Sequence, residues 1–150
     1  MKIWGIGRKW ILLSALLSSP IVVLAYFLDP VYTIDSINPW IFYGAGILQL
    51  AIGLPFLIVS AITMKKHYKS DKLCTTGVYC LCRNPMYTAW ILFLVPGILL
   101  FFRNLLLFLI PFVMYAVLRR LLPQEEAWLE EKFGDDFRNY KQKVNRLSPF

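Results

Sequence analysis

At 150 residues the chain has the length of one ordinary domain, but 58% hydrophobic and 16% aromatic residues, with a mean hydropathy of +0.57, lie outside the mix of a soluble domain. So apolar a composition excludes a disordered chain, and the apolar residues fall in long runs rather than amphipathic stripes, the pattern of a membrane protein. The formal charge of +7 does not point to nucleic acid: the basic residues flank apolar segments instead of covering one polar surface, which makes anionic lipid headgroups the expected partner.

The first span is expected at Trp10 to Leu28, 19 residues without a charge, close to the roughly 20 needed to cross a bilayer core. Lys2, Arg8 and Lys9 precede it as in a signal peptide, but the stretch is too long and no small-residue cleavage site follows. Trp40 to Met64 is a second uncharged run of 25 residues, with Trp40 and Tyr43 as interfacial anchors. From Met86 to Leu118 the single charge, Arg103, splits the stretch into runs of 17 and 15 residues. These read as two short helices in a tight hairpin, each arm about 23–26 Å long at ~1.5 Å per residue, with Arg103 snorkelling outward. Fifteen of the sixteen Lys and Arg residues lie in the amino-terminal tail, the central loop and the end of the chain. The positive-inside rule therefore puts both termini and the central loop in the cytoplasm. The fold expected is an all-α integral membrane bundle of about four transmembrane helices in a single domain, closed by a cytoplasmic amphipathic segment.

The spans contain no acidic residue, which excludes transport driven by an intramembrane proton or cation site. Chemistry gathers instead on the cytoplasmic face. His67, Cys74, Cys80 and Cys82 lie within 16 residues, but their spacing matches no structural zinc site. No metal is expected, and the cysteines read as free thiols of a reducing compartment. Asn84 and Pro85 can start a helix at Arg83-Asn84-Pro85-Met86-Tyr87. The fourth span is expected to end at Arg119-Arg120-Leu121-Leu122-Pro123-Gln124, so that the hairpin returns Glu125-Glu126 to the interface of Tyr87. A helix amino terminus suits a carboxylate, and a helix carboxyl terminus with an added glutamate suits a cation. A ligand with both an amino acid zwitterion and a sulfonium, such as S-adenosylmethionine, matches that pattern. Beyond it, Phe133, Phe137, Tyr140 and Val144 recur on one helical face, interrupted near Gly134, and predict an amphipathic helix on the membrane surface.

Two groups of residues resemble the isoprenylcysteine carboxyl methyltransferases and their relatives, which include phospholipid methyltransferases. They are Gly77-Val78-Tyr79 with Arg83-Asn84-Pro85-Met86-Tyr87, and Glu125-Glu126 followed by Phe133-Gly134-Asp135-Asp136-Phe137, Tyr140, Arg146 and Pro149. The resemblance spans roughly Leu73 to Pro149. It implies an S-adenosylmethionine-dependent methyltransferase whose residues 65–150 form the cofactor-binding half, following two amino-terminal spans in residues 1–64. Cofactor contacts are implied for Gly77, Tyr79, Arg83, Asn84, Pro85, Tyr87, Glu125 and Glu126, with one of the two glutamates facing the cationic part. Arg120 or its neighbour Arg119, Arg146 and Glu126 would lie at the reacting end, the arginines steering a carboxylate. Asn84 stands where the family commonly has histidine, which removes a titratable group, and Ala89 where it commonly has glycine. The implied acceptor is lipophilic or lipid-borne, a carboxylate, thiol or amine. Two rival readings are a membrane NAD(P)H-dependent sterol or polyprenol reductase and a non-catalytic scaffold.

Overall fold

The computed structural model describes residues 6–69 and 72–147; Lys2 of the amino-terminal tail and Pro149 of the last motif lie outside them. Helix α1 (Gly7–Phe27) is followed by a short turn of helix, α2 (Asp29–Tyr32), and by the long α3 (Pro39–Lys69). A single tight helical turn, Gly77–Cys80, leads to an apolar arm built from α4 (Pro85–Thr88), a widened π turn (Ala89–Leu94) and α5 (Val95–Leu100). The wide turn ends two residues before Pro96, whose ring crowds the carbonyl four residues back and which brings no N–H to the ladder. After a reversal at 101–104 the chain climbs back through a tight turn (Leu105–Phe108) into α6 (Leu109–Phe133), and α7 (Asp135–Lys143) folds against α6.

Three helices are long and apolar enough to cross a membrane: Gly7–Phe27, Pro39–His67 and Leu105–Phe133. The fourth apolar helix, Pro85–Leu100, is shorter, so of the two short hairpin arms expected from the apolar runs the first is short and the second is part of a long helix. The outward faces are lined with exposed apolar side chains, including Leu12, Leu16, Ile47, Leu48 and Phe112, a continuous apolar surface that suits lipid rather than water. Arg103 does not snorkel alone. It adopts a left-handed backbone conformation (φ 50°), its side chain lies 3.5 Å from Asp35, and its carbonyl accepts the Ile34 N–H at 2.9 Å. Beside it the buried Asn104 caps the following turn by accepting the Leu106 N–H at 3.0 Å and donates to Asp29 at 3.2 Å. This polar knot ties the hairpin tip to the start of α2 and to the loop that follows it.

The arm sits between α3 and α6, and α1 packs along α6. Ile6, Trp10, Ile91, Met114, Val117, Leu118 and Leu122 form the core beneath the cavity described below. Glycines let α3 approach the arm closely. A Cβ at Gly53 would stand 2.6 Å from Phe93 Cβ, and one at Gly46 would stand 2.8 Å from the Gly97 carbonyl oxygen, whereas Gly44 faces open space. Because neither obstructing atom is the free end of a flexible side chain, the helices themselves must separate. Gly53→Ala is therefore expected to destabilise the protein by roughly 1–3 kcal/mol, seen as a lowered thermal midpoint in detergent, with Gly44→Ala unchanged.

Helix α6 also departs from expectation. Pro123 does not end it: the helix runs unbroken to Phe133, since in a long packed helix one missing N–H costs a single hydrogen bond. The glutamates at 125 and 126 are consequently inside a helix, not past its carboxyl terminus, and owe nothing to a helix dipole. Gly134, at φ +53° and ψ −124°, a conformation open to glycine, makes the break before α7. The buried residues of α7 are Phe137 and Tyr140, so this part of its apolar face turns inward against the protein.

Candidate active site

A cavity of about 510 Å³ opens between α1, α3, the 72–90 segment, α6 and α7, within the ~300–1,000 Å³ range of small-molecule sites. Its walls are largely aromatic and aliphatic, with Trp10, Tyr87, Trp90, Trp128, Phe133 and Phe137 among them, and with Glu125, Glu126 and Arg83 as the charged groups at the α4–α6 junction. The two ends of the hairpin meet there, as the sequence motifs require.

The adjacent glutamates have different surroundings, because successive helical residues point about 100° apart. Glu126 is buried (6% exposed) and saturated. Its Oε1 and Oε2 accept Nε and Nη2 of Arg146 at 2.9 and 2.8 Å, Arg83 Nη1 lies 3.0 Å from Oε1, and Lys141 Nζ is 3.9 Å from Oε2. Glu125 is half-buried and faces the cavity. The contact that the described residues give its carboxylate is the Tyr87 hydroxyl, which donates to Oε2 at 3.5 Å, far beyond the ~2.7 Å of a strong O–H···O bond. No cation pairs with it among the described residues.

Arg83 is the electrostatic counterpart. Its side chain is 8% exposed, yet Nε and Nη1 find no hydrogen-bond acceptor among the described residues. The 3.0 Å approach of Nη1 to Glu126 is thus an attraction of charge lying off the hydrogen-bond direction. Residues 145–147 lock this corner. Arg83 and Asn84 donate their backbone N–H groups to the carbonyls of Asn145 and Arg146 at 2.8 and 3.1 Å, Asn84 Nδ2 donates to the Arg146 carbonyl at 3.1 Å, and the Thr88 hydroxyl donates to the Leu147 carbonyl at 3.1 Å. Asn84 stands at the amino-terminal cap position of α4 without capping it; its side chain holds the strap instead.

Of the residues singled out from sequence, Tyr79, Arg83, Asn84, Tyr87, Glu125 and Glu126 line the cavity. Gly77, with φ +63°, shapes the turn below and lies near Thr63, and Pro85 is buried at the start of α4; neither is in the wall. Arg119 and Arg120 are exposed on α6 and also stand outside it, as Arg119 is drawn over the Tyr115 ring at 5.9 Å. Arg146 reaches Glu126 from the strap and is not a wall residue. Ala89 is fully buried and does not narrow the cavity. Sequence reasoning missed Gly7, Trp10 and Ile11, which complete the wall from α1. Their only signal is position at the end of an apolar run, which marks a span rather than a site.

His67 and the cysteines go to separate partners. His67 Nδ1 lies 2.9 Å from the Thr63 carbonyl oxygen and Nε2 lies 3.3 Å from the Thr76 hydroxyl. Cys80 Sγ donates to the Thr75 carbonyl at 3.0 Å, and Cys82 Sγ is 3.6 Å from the Thr88 hydroxyl. All three cysteines are free thiols. Burial pushes the Cys74 thiol up to about 11. At pH 8 its thiolate fraction is then of order ~10⁻³, so iodoacetamide is expected to modify the exposed Cys80 well before Cys74, as peptide mapping by mass spectrometry would register. Burial likewise raises the Tyr79 and Tyr140 phenols. Both stay neutral, and the Tyr140 hydroxyl donates to the Tyr79 carbonyl at 2.6 Å, clasping α7 over the cavity.

Residues 36–136 match the family described as phospholipid methyltransferase. The chain belongs to that family. Over 120 residues it is also 27% identical to two proteins, from Oryza sativa subsp. indica and subsp. japonica, each named "Probable protein-S-isoprenylcysteine O-methyltransferase". The alignment takes in 74% of this chain and 63% of each relative, so the chain spans a little under two thirds of their length. No solved structure matches. The family match begins within the loop before α3 and ends just inside α7, leaving α1 outside it.

Proposed function

We propose that the protein is an integral membrane methyltransferase that uses S-adenosylmethionine to methylate a lipid-borne acceptor at the cytoplasmic face. The observation that carries this reading is the Glu125 carboxylate, turned into a partly open, largely aromatic-walled cavity and in ion-pair contact with no cation among the described residues. A half-buried carboxylate in that state is costly until a positive group meets it, and aromatic faces favour a cation at the same place. Arg83, buried with unused donors in the same wall, suits a carboxylate. Together they fit a ligand with a zwitterion and a sulfonium.

S-adenosylmethionine supplies an electrophilic methyl group, transferred by in-line displacement. The residues then have three tasks. Glu125 anchors a cationic group and Arg83 the carboxylate, Tyr87 holds the Glu125 carboxylate, and the aromatic walls limit water, so that alignment does most of the work. A carboxylate or thiolate acceptor requires no proton removal. Family membership and the names of the rice relatives support a lipid or lipid-linked acceptor, and a carboxylate or thiol is favoured over an amine, which would have to lose a proton. The basic flanks of the apolar helices support cytoplasmic termini.

The test is calorimetric titration of the full chain in detergent with S-adenosylmethionine, S-adenosylhomocysteine and NADPH. Selective binding of the two adenosyl ligands is expected. Binding of NADPH in their place would move the chain to the reductases, and binding of none by folded protein would sink the methyltransferase reading.

A further inference from the structure

Helix α1 has no sequence motif and lies outside the family match at residues 36–136, yet it forms the wall behind the pair of residues on which ligand binding is argued to depend. Trp10 is almost wholly buried (2% exposed), and its indole is fixed at two points. Nε1–H donates to the Met114 carbonyl of α6 at 2.9 Å, and the ring meets Tyr87 edge-on, centroids 5.0 Å apart and planes at 75°. The opposite end of Tyr87 is the hydroxyl directed at Glu125. Gly7, one turn earlier, approaches that hydroxyl itself: a Cβ there would stand 3.7 Å from it. The phenol is therefore held between α1 and α6, with Trp10 at its ring and Gly7 near its oxygen.

From this geometry we infer that Trp10 is a positioning residue for the ligand's cation site: it sets the Tyr87 ring so that the hydroxyl, and through it the Glu125 carboxylate, faces the cavity. The inference rests on the S-adenosylmethionine reading given above. The Tyr87 hydroxyl contact at 3.5 Å is already long, so a small rotation of the ring breaks it, whereas the rest of the α1–α6 core, through Ile6, Met114, Val117 and Leu118, survives the loss of one indole hydrogen bond. Trp10 thus acts through Tyr87.

A double-mutant cycle separates positioning from mere packing. Trp10→Phe keeps a ring but removes the Nε1–H anchor. In the wild-type background it is expected to weaken S-adenosylmethionine binding by about tenfold, and in a Tyr87→Phe background, where there is no hydroxyl left to aim, by less than about twofold. Gly7→Leu, which crowds the hydroxyl from α1 without opening a hole in the core, serves as the second variant and is expected to follow the same pattern. A packing role for Trp10 would instead lower the thermal midpoint and multiply the dissociation constant equally in both backgrounds; equal factors for both variants overturn the inference. If the wild type binds no adenosyl ligand, the functional reading fails and the inference falls with it. If the wild type binds and the factors are equal, only the role of Trp10 is lost.

Discussion

Glu125→Gln is expected to weaken binding of S-adenosylmethionine about 30-fold or more while leaving the unliganded protein as stable as before or slightly more so. The substitution is isosteric and keeps a group within reach of the Tyr87 hydroxyl, so little packing changes. What it removes is a charge that no cation among the described residues offsets. Discarding one partner of a buried, hydrogen-bonded charge pair typically costs ~2–5 kcal/mol in binding, which at about 1.4 kcal/mol per factor of ten gives the stated loss. The unliganded protein, in contrast, sheds an uncompensated half-buried carboxylate, and that does not destabilise it. The measurement is a pair of readouts on one sample: the dissociation constant by calorimetry and the thermal midpoint with and without ligand. A midpoint that rises with ligand in the wild type, and stays where it was in the Glu125→Gln variant, is the expected signature. Unchanged affinity in the variant would remove Glu125 from the site.

Its neighbour is expected to behave in the opposite way. Glu126→Ala should destabilise the fold by about 3–5 kcal/mol, because it leaves the Arg83 guanidinium buried at 8% exposure with no counter-charge. Arg146, with a side chain 41% exposed, re-solvates once released, so Arg146→Ala alone is expected to cost only about 1 kcal/mol. The strap also loses its anchor in the Glu126 variant, although its backbone bonds to Arg83 and Asn84 remain. The decisive comparison is the double variant Glu126→Leu with Arg83→Met, in which both charges go. It should be markedly more stable than Glu126→Ala, because the penalty comes from the orphaned charge rather than from the missing attraction. Thermal unfolding in detergent distinguishes these cases. A double variant no more stable than Glu126→Ala would mean that the carboxylate stabilises the corner by some route other than neutralising Arg83.

These two experiments also show where sequence reasoning reaches its limit. Glu125 and Glu126 are adjacent and chemically identical, so composition and spacing supply a pair and nothing that tells them apart. Only the rotation of α6 against Arg83 and the carboxyl-terminal strap decides that one is neutralised and the other turned into the cavity. The same holds for Arg120 and Arg146, both of which the motifs offer as ligand contacts: the first stays on an exposed face of α6, and the second is used up by Glu126. Pro123 locally predicts the end of a helix, but local preference yields when a long helix is packed along its length.

By itself the amino-acid sequence determined the long apolar helices, the Arg103-Asn104 reversal, the break at Gly134 and the convergence of Tyr87 with Glu125-Glu126. Each follows from a local cause: run length against bilayer thickness, one charged and one polar residue in an apolar stretch, a glycine that permits left-handed backbone, and a hairpin that returns on itself. Tertiary structure alone decided the continuation of α6 past Pro123, the inward face of α7, the assignment of the two glutamates and the part played by α1. Trp10 illustrates why. Its indole reaches across to Met114 and Tyr87, contacts between residues distant in the chain that leave no periodicity or spacing to read, and an apolar run looks the same whether its tryptophan faces lipid or a ligand cavity.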